Sequence, residues 1–173
     1  DWIEAKATGG LSRFSLDLDG LKVTSVSIDG EAAKFSRGRG KVKIVPSTPI
    51  VKGERFTVEL RYQGLPRKVI DPDGSTEGWY RTSDGAVGVG EPVGTAAWLA
   101  CNNAPRDKAS FDIQITVPAG LKAVSNGKLV GRQKVDGRVR FSWSEPAPMA
   151  SYLALVDIGK GKLDDKEASD NDK

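Results

Sequence analysis

The chain has 173 residues, a net charge of +3 and no histidine. The absence of histidine excludes histidine-ligated zinc sites and the histidine bases of serine and cysteine hydrolases. The 26 basic residues are scattered along the sequence, which argues against a nucleic-acid partner, because phosphate binding needs a clustered basic face. No apolar run approaches the ~20 residues of a membrane helix, so we expect no membrane segment here. The single Cys101 cannot form an internal disulfide and leaves the redox compartment undecided.

Apolar and polar residues alternate in four stretches of the first third of the chain, which predicts strands. The predicted strands cover 14–18, 21–28, 42–44 and 56–62. Asp19-Gly20 and Asp29-Gly30 follow the first two of them. Because both residue types tolerate positive φ, Asp-Gly pairs at these points predict hairpin turns.

The middle of the chain has a different composition. Residues 64–95 contain seven glycines and two Asp-Gly pairs, Asp73-Gly74 and Asp84-Gly85. This composition predicts long loops rather than a sheet. Ordered loops on a rigid β scaffold are where binding and catalytic residues concentrate.

Alternation returns in the last third and predicts strands at 111–117, 139–143 and 152–158, with turns at Asn126-Gly127 and Asp136-Gly137. No segment of eleven residues has the apolar spacing of a helix. The sequence therefore predicts an all-β, mostly antiparallel fold of at least eight strands with little or no helix. The predicted core residues are Phe14, Leu16, Phe56, Val58, Ile113, Ile115, Phe141 and Leu155.

Two residue types suggest chemistry that the rest of the sequence does not support. Cys101 as a nucleophile would need a base, and no histidine exists to provide one, so a buried, inert thiol is the favoured interpretation. The four tryptophans can form a sugar-stacking platform, but tryptophan in a small β domain more often fills a core or an interface.

Six segments stand in a fixed order between residues 11 and 161. They are Leu-Ser-Arg-Phe-Ser-Leu-Asp-Leu-Asp-Gly-Leu-Lys-Val from Leu11, Glu77-Gly78-Trp79, Gly-Glu-Pro from Gly90, Pro-Arg-Asp-Lys-Ala-Ser-Phe-Asp from Pro105, Val-Ser-Asn-Gly-Lys-Leu from Val124, and Pro-Met-Ala-Ser-Tyr-Leu-Ala from Pro148. Together they resemble the N-terminal β domain of aminopeptidase N-type zinc metallopeptidases.

The resemblance implies a saddle-shaped, mostly antiparallel, β-sandwich-like domain over a separate catalytic domain of the same chain. It places this domain at 1–161, with its first strands expected before Asp1, and a charged tail or linker at 162–173. The family's zinc ligands, glutamate base and Gly-x-Met-Glu-Asn strand belong to the catalytic domain and have no counterpart here. We therefore expect no catalytic residue, metal ligand or cofactor in this chain, and zinc in the catalytic domain.

One site residue follows from the resemblance. Family members place a Glu or Gln of this domain in the active-site cleft, where it binds the free α-amine of the peptide substrate. Glu91 stands at that position, fourteen residues before Pro105. A carboxylate forms a strong charge-assisted hydrogen bond with an ammonium group. The alternative is an exposed loop glutamate without a ligand.

The sequence also departs from the family pattern. Many members read Phe-Pro-Cys-x-Asp-Glu-Pro where this chain reads Leu-Ala-Cys-Asn-Asn-Ala-Pro from Leu99, and Ala96 replaces a common arginine. These changes put in doubt the ion pairing that is usual at this loop, though not the fold.

Two functions remain open from the sequence. The first is the non-catalytic N-terminal domain of a zinc aminopeptidase, with the catalytic domain and peptides that have a free N-terminus as partners. The second is a free-standing β-sandwich module that binds carbohydrate or protein through its tryptophans. A downstream H-E-x-x-H motif would distinguish the first from the second.

Overall fold

The computed structural model describes residues 1–71 and 73–161. The tail predicted at 162–173 lies outside the described residues. The described part is built almost entirely of strands, and its helical residues are confined to two short 3-10 helices. No described helix has the length and apolar character needed to cross a membrane.

The described residues form fifteen strands. The first seven are β1 (Trp2–Lys6), β2 (Phe14–Asp17), β3 (Lys22–Ile28), β4 (Glu31–Ala32), β5 (Lys34–Gly38), β6 (Lys41–Val45) and β7 (Arg55–Gln63). The next three are β8 (Lys68–Ile70), β9 (Thr76–Arg81) and β10 (Ala86–Val89). The last five are β11 (Ala109–Pro118), β12 (Lys122–Ser125), β13 (Lys128–Val135), β14 (Arg138–Met149) and β15 (Val156–Gly159). The 3-10 helices cover Gly94–Ala97 and Ser151–Leu153.

The strands assemble into four sheets, and each described pairing is antiparallel. Sheet I has the order β1-β7-β3-β4 and sheet II the order β2-β6-β5. Sheet III has the order β12-β15-β10-β9-β8, and sheet IV the order β11-β14-β13. The all-β, antiparallel fold that the alternating pattern predicts is confirmed.

The larger core lies where sheets I and II contribute their inward-facing side chains. Alternation along a strand points every second side chain to one face, and in β7 the buried members are Phe56, Val58 and Leu60. Val42 and Ile44 of β6 are fully buried and belong to the same cluster. This cluster, the first core, anchors the N-terminal part of the chain.

A second, smaller core joins sheet IV to β12. Its buried members are Val117, Ala123, Val139 and Phe141. Leu16, Phe56, Val58 and Phe141 are buried as predicted, whereas Phe14, Ile113, Ile115 and Leu155 are only partly buried. Phe14 packs against the first core and Ile115 against the second, whereas Ile113 and Leu155 belong to neither cluster.

Two predicted turns form without making hairpins. Gly20 and Gly127 both have positive φ, but β2 pairs with β6 rather than β3, and β12 and β13 belong to different sheets. The turn at Asp29-Gly30 does join a pair, β3 and β4. An Asp-Gly or Asn-Gly pair thus specifies the turn, while the pairing partner depends on which strands bury their apolar faces together.

The prediction that 64–95 is loop rather than sheet is wrong, because this stretch supplies β8, β9 and β10 of sheet III. The prediction of one strand over 152–158 is also wrong at its start, since Ser151–Leu153 is a 3-10 turn and β15 begins at Val156. Two glycines of 64–95, Gly78 and Gly88, lie inside strands where space is limited. A Cβ on Gly88 would stand 3.0 Å from the Trp79 ring and 3.2 Å from the Trp98 ring.

Candidate functional site

The candidate site is the loop that leaves β10 of sheet III and enters the 3-10 helix Gly94–Ala97. Glu91 lies at the tip of this loop with its side chain exposed to solvent. The Glu91–Pro92 peptide bond is cis. The Gly94 N–H donates to the Gly90 carbonyl over 3.0 Å and so closes the loop at its base.

A buried carboxylate holds the descending side of this loop. Glu77 of β9 is 3% exposed, and its Oε2 accepts the N–H groups of Val93 (2.9 Å) and Gly94 (2.7 Å). Both are charge-assisted hydrogen bonds, the stronger kind in proteins. Since β9 pairs on both sides, with β8 and β10, the carboxylate is fixed to the interior of a sheet.

Two further polar side chains tie the loop to its surroundings. The Thr95 hydroxyl is fully buried and donates to the Ser151 carbonyl over 3.0 Å. Asn103 donates through Nδ2 to the Pro92 carbonyl over 3.1 Å. Asn103 occupies the position where the resemblance has an aspartate, and only the amide can donate this hydrogen bond. The departure therefore gives the loop a contact that an aspartate cannot make.

Two glycines let the loop lie against its support. A Cβ on Gly94 would stand 2.4 Å from the Gly78 nitrogen and 2.9 Å from the Glu77 Cγ. A Cβ on Gly90 would stand 1.9 Å from the Thr95 Oγ1. These distances are far below any van der Waals contact, so both positions require glycine for close packing rather than for turn geometry.

An open groove of about 380 Å³ adjoins the loop, and Asp17, Asp19, Val93, Ala96 and Asn103 are among the residues that line it. Ala96 stands where the resemblance has an arginine. Both aspartates nevertheless have a cationic partner from elsewhere in the chain. These partners are Lys41, which pairs with Asp17, and Arg67, whose Nη2 lies 2.6 Å from the Asp19 Oδ2.

Cys101 lies at the junction between this region and the first core. Its side chain is 7% exposed, and burial raises the pKa of its thiol to about 11. Since the thiolate is the nucleophile, the thiol stays neutral and unreactive at physiological pH. This environment agrees with the buried, inert thiol that the sequence predicts.

The four tryptophans, all in the described part of the chain, do not form a common surface. Trp79 and Trp98 pack against each other, with ring centroids 6.3 Å apart. Trp143 belongs to the second core and donates its indole N–H to the Ala123 carbonyl over 3.0 Å. Trp2 is the exposed member, at 65%. Nothing in this arrangement resembles a stacking platform for sugar rings.

The donor set of the described residues does not fit zinc. They contain no group of three or more histidine, cysteine, aspartate or glutamate side chains placed to hold a metal ion. The chain has no histidine, and its one cysteine keeps its proton. Zinc in proteins is bound mainly by histidine nitrogen and cysteine thiolate, so no chemistry through a metal is assigned to these residues.

The sequence points to Glu91 through the resemblance, and that assignment stays a prediction. No pattern in the sequence marks Glu77, Thr95 or Asn103 as residues that hold the loop. The available signal was the Glu77-Gly78-Trp79 segment, in which a glutamate precedes a glycine and an aromatic residue. Because the glycine-rich composition of 64–95 favours loop, it gives no reason to expect that this glutamate is buried.

The fold and the loop together define an antiparallel β domain that presents the exposed Glu91 carboxylate from a loop held by Glu77, Thr95 and Asn103. Residues 3–153 match the Peptidase M1 N-terminal domain family. The chain therefore belongs to the M1 peptidase family, as its N-terminal domain.

Individual relatives agree with this assignment. The chain is 29% identical over 152 residues to a leucyl aminopeptidase of Saccharolobus solfataricus, an alignment that covers 83% of this chain and 18% of that protein. It is 28% identical over 131 residues to aminopeptidase N of Haemonchus contortus, which covers 69% of this chain and 13% of the relative. The chain thus spans less than a fifth of the length of these two relatives.

Solved structures show the same similarity. The M1 zinc metallopeptidase from Deinococcus radiodurans superimposes with a TM-score of 0.85 at 29% identity, covering 91% of this chain and 36% of the other. A variant of that enzyme bound to a Tyr-Ser-Ala substrate gives a TM-score of 0.84 with the same identity and coverage.

Proposed function

We propose that this chain is the noncatalytic N-terminal domain of a zinc-dependent aminopeptidase, where it completes the substrate cleft and helps to recognise the free α-amine of peptides. Membership of the M1 family supports this proposal, as do relatives named as aminopeptidases. The structural relative with a bound tripeptide supports peptides as the substrate class. The partners are the catalytic domain of the same chain and peptides with an unblocked N-terminus.

The single observation that carries the proposal is the exposed carboxylate of Glu91 on a loop held by hydrogen bonds from three directions. Glu77, Asn103 and Thr95 each fix a different residue of the segment that surrounds it. A carboxylate on a fixed backbone loses less conformational entropy when it binds a ligand than one on a mobile loop. Its negative charge selects an ammonium group over a neutral amide, which distinguishes a free N-terminus from a blocked one.

In this proposal the catalytic domain, and not this N-terminal domain, carries out peptide hydrolysis. The described residues of this chain have no histidine and no group of side chains placed to hold a metal ion. The separate catalytic domain would hold the zinc, which would supply polarisation of the peptide carbonyl and activation of water. The role of this chain is to hold the peptide N-terminus at a fixed distance from that centre. Positioning of this kind contributes to the rate because reacting groups must meet in the correct geometry.

The test is the kinetics of Glu91→Ala and Glu91→Gln in the full-length enzyme on an aminoacyl arylamide reporter. Loss of one charge-assisted hydrogen bond in a partly desolvated site costs about 1.5–3 kcal/mol. This corresponds to a roughly ten- to hundredfold fall in kcat/KM for Glu91→Ala. Glu91→Gln keeps an acceptor without the charge, so its loss is smaller.

Glu4→Ala, which removes an exposed glutamate from β1, is the matched control and leaves kcat/KM unchanged. If Glu91→Ala stays within twofold of the wild type while remaining folded, Glu91 does not bind the amine. The domain's part in the reaction would then be that of a scaffold.

A further inference from the structure

Glu77 occupies an unfavourable position for a glutamate. Its side chain is 97% removed from solvent, on a strand that is paired on both sides. Oε2 accepts two backbone N–H groups, whereas Oε1 is buried without a hydrogen-bond partner among the described residues. A buried carboxylate with an unpaired oxygen destabilises the folded state relative to an apolar side chain of similar size.

The hydrogen bonds of Glu77 all lead to one place. Both donors, the N–H groups of Val93 and Gly94, lie in the loop that carries Glu91. Val93 and Gly94 follow Glu91 by two and three residues, so the hydrogen bonds to Glu77 lie close to Glu91 along the chain. Neither of these hydrogen bonds involves a residue of either core. They therefore act on the position of the loop rather than on the packing of the sheets.

We propose that Glu77 is a positioning residue for Glu91. Its hydrogen bonds hold the loop against sheet III and so place the Glu91 carboxylate where it can bind the substrate amine. This inference rests on the proposed function of Glu91. A binding site needs supporting residues that fix its geometry, and such residues are often retained although they reduce stability. Glu77 has both properties, since it is buried at a cost and contacts the loop that carries Glu91.

The close approach of the loop supports the same inference. Gly94 has no room for a side chain against Glu77, since a Cβ there would lie 2.9 Å from the Glu77 Cγ. The loop is thus seated directly on the carboxylate, with no intervening side chain. Removal of the carboxylate leaves the Val93 N–H without this acceptor and leaves the Gly94 N–H only its bond to the Gly90 carbonyl. The segment 93–94 then loses its hydrogen bonds to β9, although Asn103 and Thr95 still hold its neighbours.

The experiment is a double-mutant cycle in the full-length enzyme, with Glu77→Ala and Glu77→Gln made in both the wild-type and the Glu91→Ala backgrounds. A displacement of about 1 Å lowers a rate by up to about 100-fold, and we expect Glu77→Ala to lower kcat/KM roughly tenfold, never more than Glu91→Ala does. Glu77→Gln retains an oxygen that accepts both N–H groups, so it restores most of this loss. In the Glu91→Ala background, the effect of Glu77→Ala falls below twofold.

The way in which the loss of kcat/KM divides between KM and kcat distinguishes a positioning role of Glu77 from a loss of folded enzyme. If Glu77 acts through Glu91, the change divides between KM and kcat in the same proportion for Glu77→Ala as for Glu91→Ala. A loss of folded enzyme lowers the apparent kcat and leaves KM unchanged. Val58→Ala, in the first core and away from the loop, is the control for reduced stability and leaves KM unchanged.

The outcomes distinguish this inference from the function on which it rests. If Glu77→Ala costs the same factor in both backgrounds, or costs nothing where Glu91→Ala is impaired, Glu77 does not position Glu91 and the amine role of Glu91 stands. If Glu91→Ala itself is unimpaired, the amine role fails, and the positioning role fails with it.

Discussion

The first core and the Glu91 loop are held in place by different means. In the first core, fourteen buried apolar residues from Ala7 to Ala100 share the contacts. The loop instead relies on a few polar contacts, made by Glu77, Thr95 and Asn103. In the core the energy is spread over many small contributions, whereas at the loop each hydrogen bond fixes a direction. Stability and geometry are therefore controlled by separate sets of residues.

This separation has a simple kinetic meaning. A substitution in the core changes how much of the protein is folded, while the folded molecules keep their site geometry. A substitution among the loop supports changes the geometry within molecules that remain folded. Core substitutions should therefore cause the larger losses of stability, and substitutions among the loop supports the larger losses of activity per folded molecule.

The largest expected effect on stability is in the core. Leu60 is fully buried on β7, and Leu60→Ala should lower the unfolding free energy by about 2–5 kcal/mol. Denaturant unfolding of the domain measures this loss, and kcat/KM per folded molecule should stay within twofold. Ile113, which is only partly buried, should lose about 1 kcal/mol on truncation, since less apolar area returns to water. An equal loss at both positions would contradict the burial pattern.

Thr95→Val is expected to have a smaller effect on stability and a larger one on activity. The valine keeps the shape but leaves the Ser151 carbonyl without its buried donor, at about 1–3 kcal/mol. Because the loop loses one of its supports, we expect kcat/KM to fall further than in Leu60→Ala. Thr95→Ser, which keeps the hydroxyl, should retain activity. Activity losses that follow stability losses across the three variants would remove the distinction between core and loop.

Cys101 gives the smallest effect, and it appears only in alkaline solution. Burial raises the pKa of this thiol from its ordinary value near 9 to about 11. Between these values the folded state keeps a proton that the unfolded state releases, so stability is full below pH 9 and falls as the pH rises toward 11. The wild type should lose roughly 1 kcal/mol more than Cys101→Ala between pH 8 and pH 10.

Unfolding midpoints of the two proteins at both pH values provide the measurement. Because burial also raises the pKa of Tyr62, the difference between wild type and variant isolates the thiol. Native Cys101 should also react slowly with a thiol reagent at pH 8 and rapidly after denaturation. Rapid reaction of the native protein would place the sulfur at the surface and move the boundary of the core.

The sequence predicts the strands better than their partners, for a physical reason. Alternation is a local property, and turn residues such as Asp29 and Asp136 adopt the positive φ that their Asp-Gly pairs suggest. Pairing depends instead on contacts distant along the chain, such as that between β1 and β7. The sequence does not predict β9 and β10 of sheet III, because their glycines, Gly78 and Gly88, serve close packing and interrupt the apolar pattern.

The candidate site is predictable only in part. The resemblance points to Glu91 because this residue stands fourteen positions before Pro105, within the order of the matching segments. No local pattern shows that Glu77 is buried, since burial of a carboxylate depends on what folds over it. The polar contacts of Thr95 and Asn103 likewise join residues that are brought together only by the tertiary fold.

Sheet III cannot be completed until β15 has been synthesised, because β15 lies between β12 and β10. This strand pairs with both of them, although it is the last described strand to leave the ribosome. Until it arrives, β10 and β12 present unpaired edges, which are open to wrong partners. Ser151, whose carbonyl holds Thr95, emerges just before it. The nascent chain can therefore close its first core long before the loop around Glu91 acquires its final support.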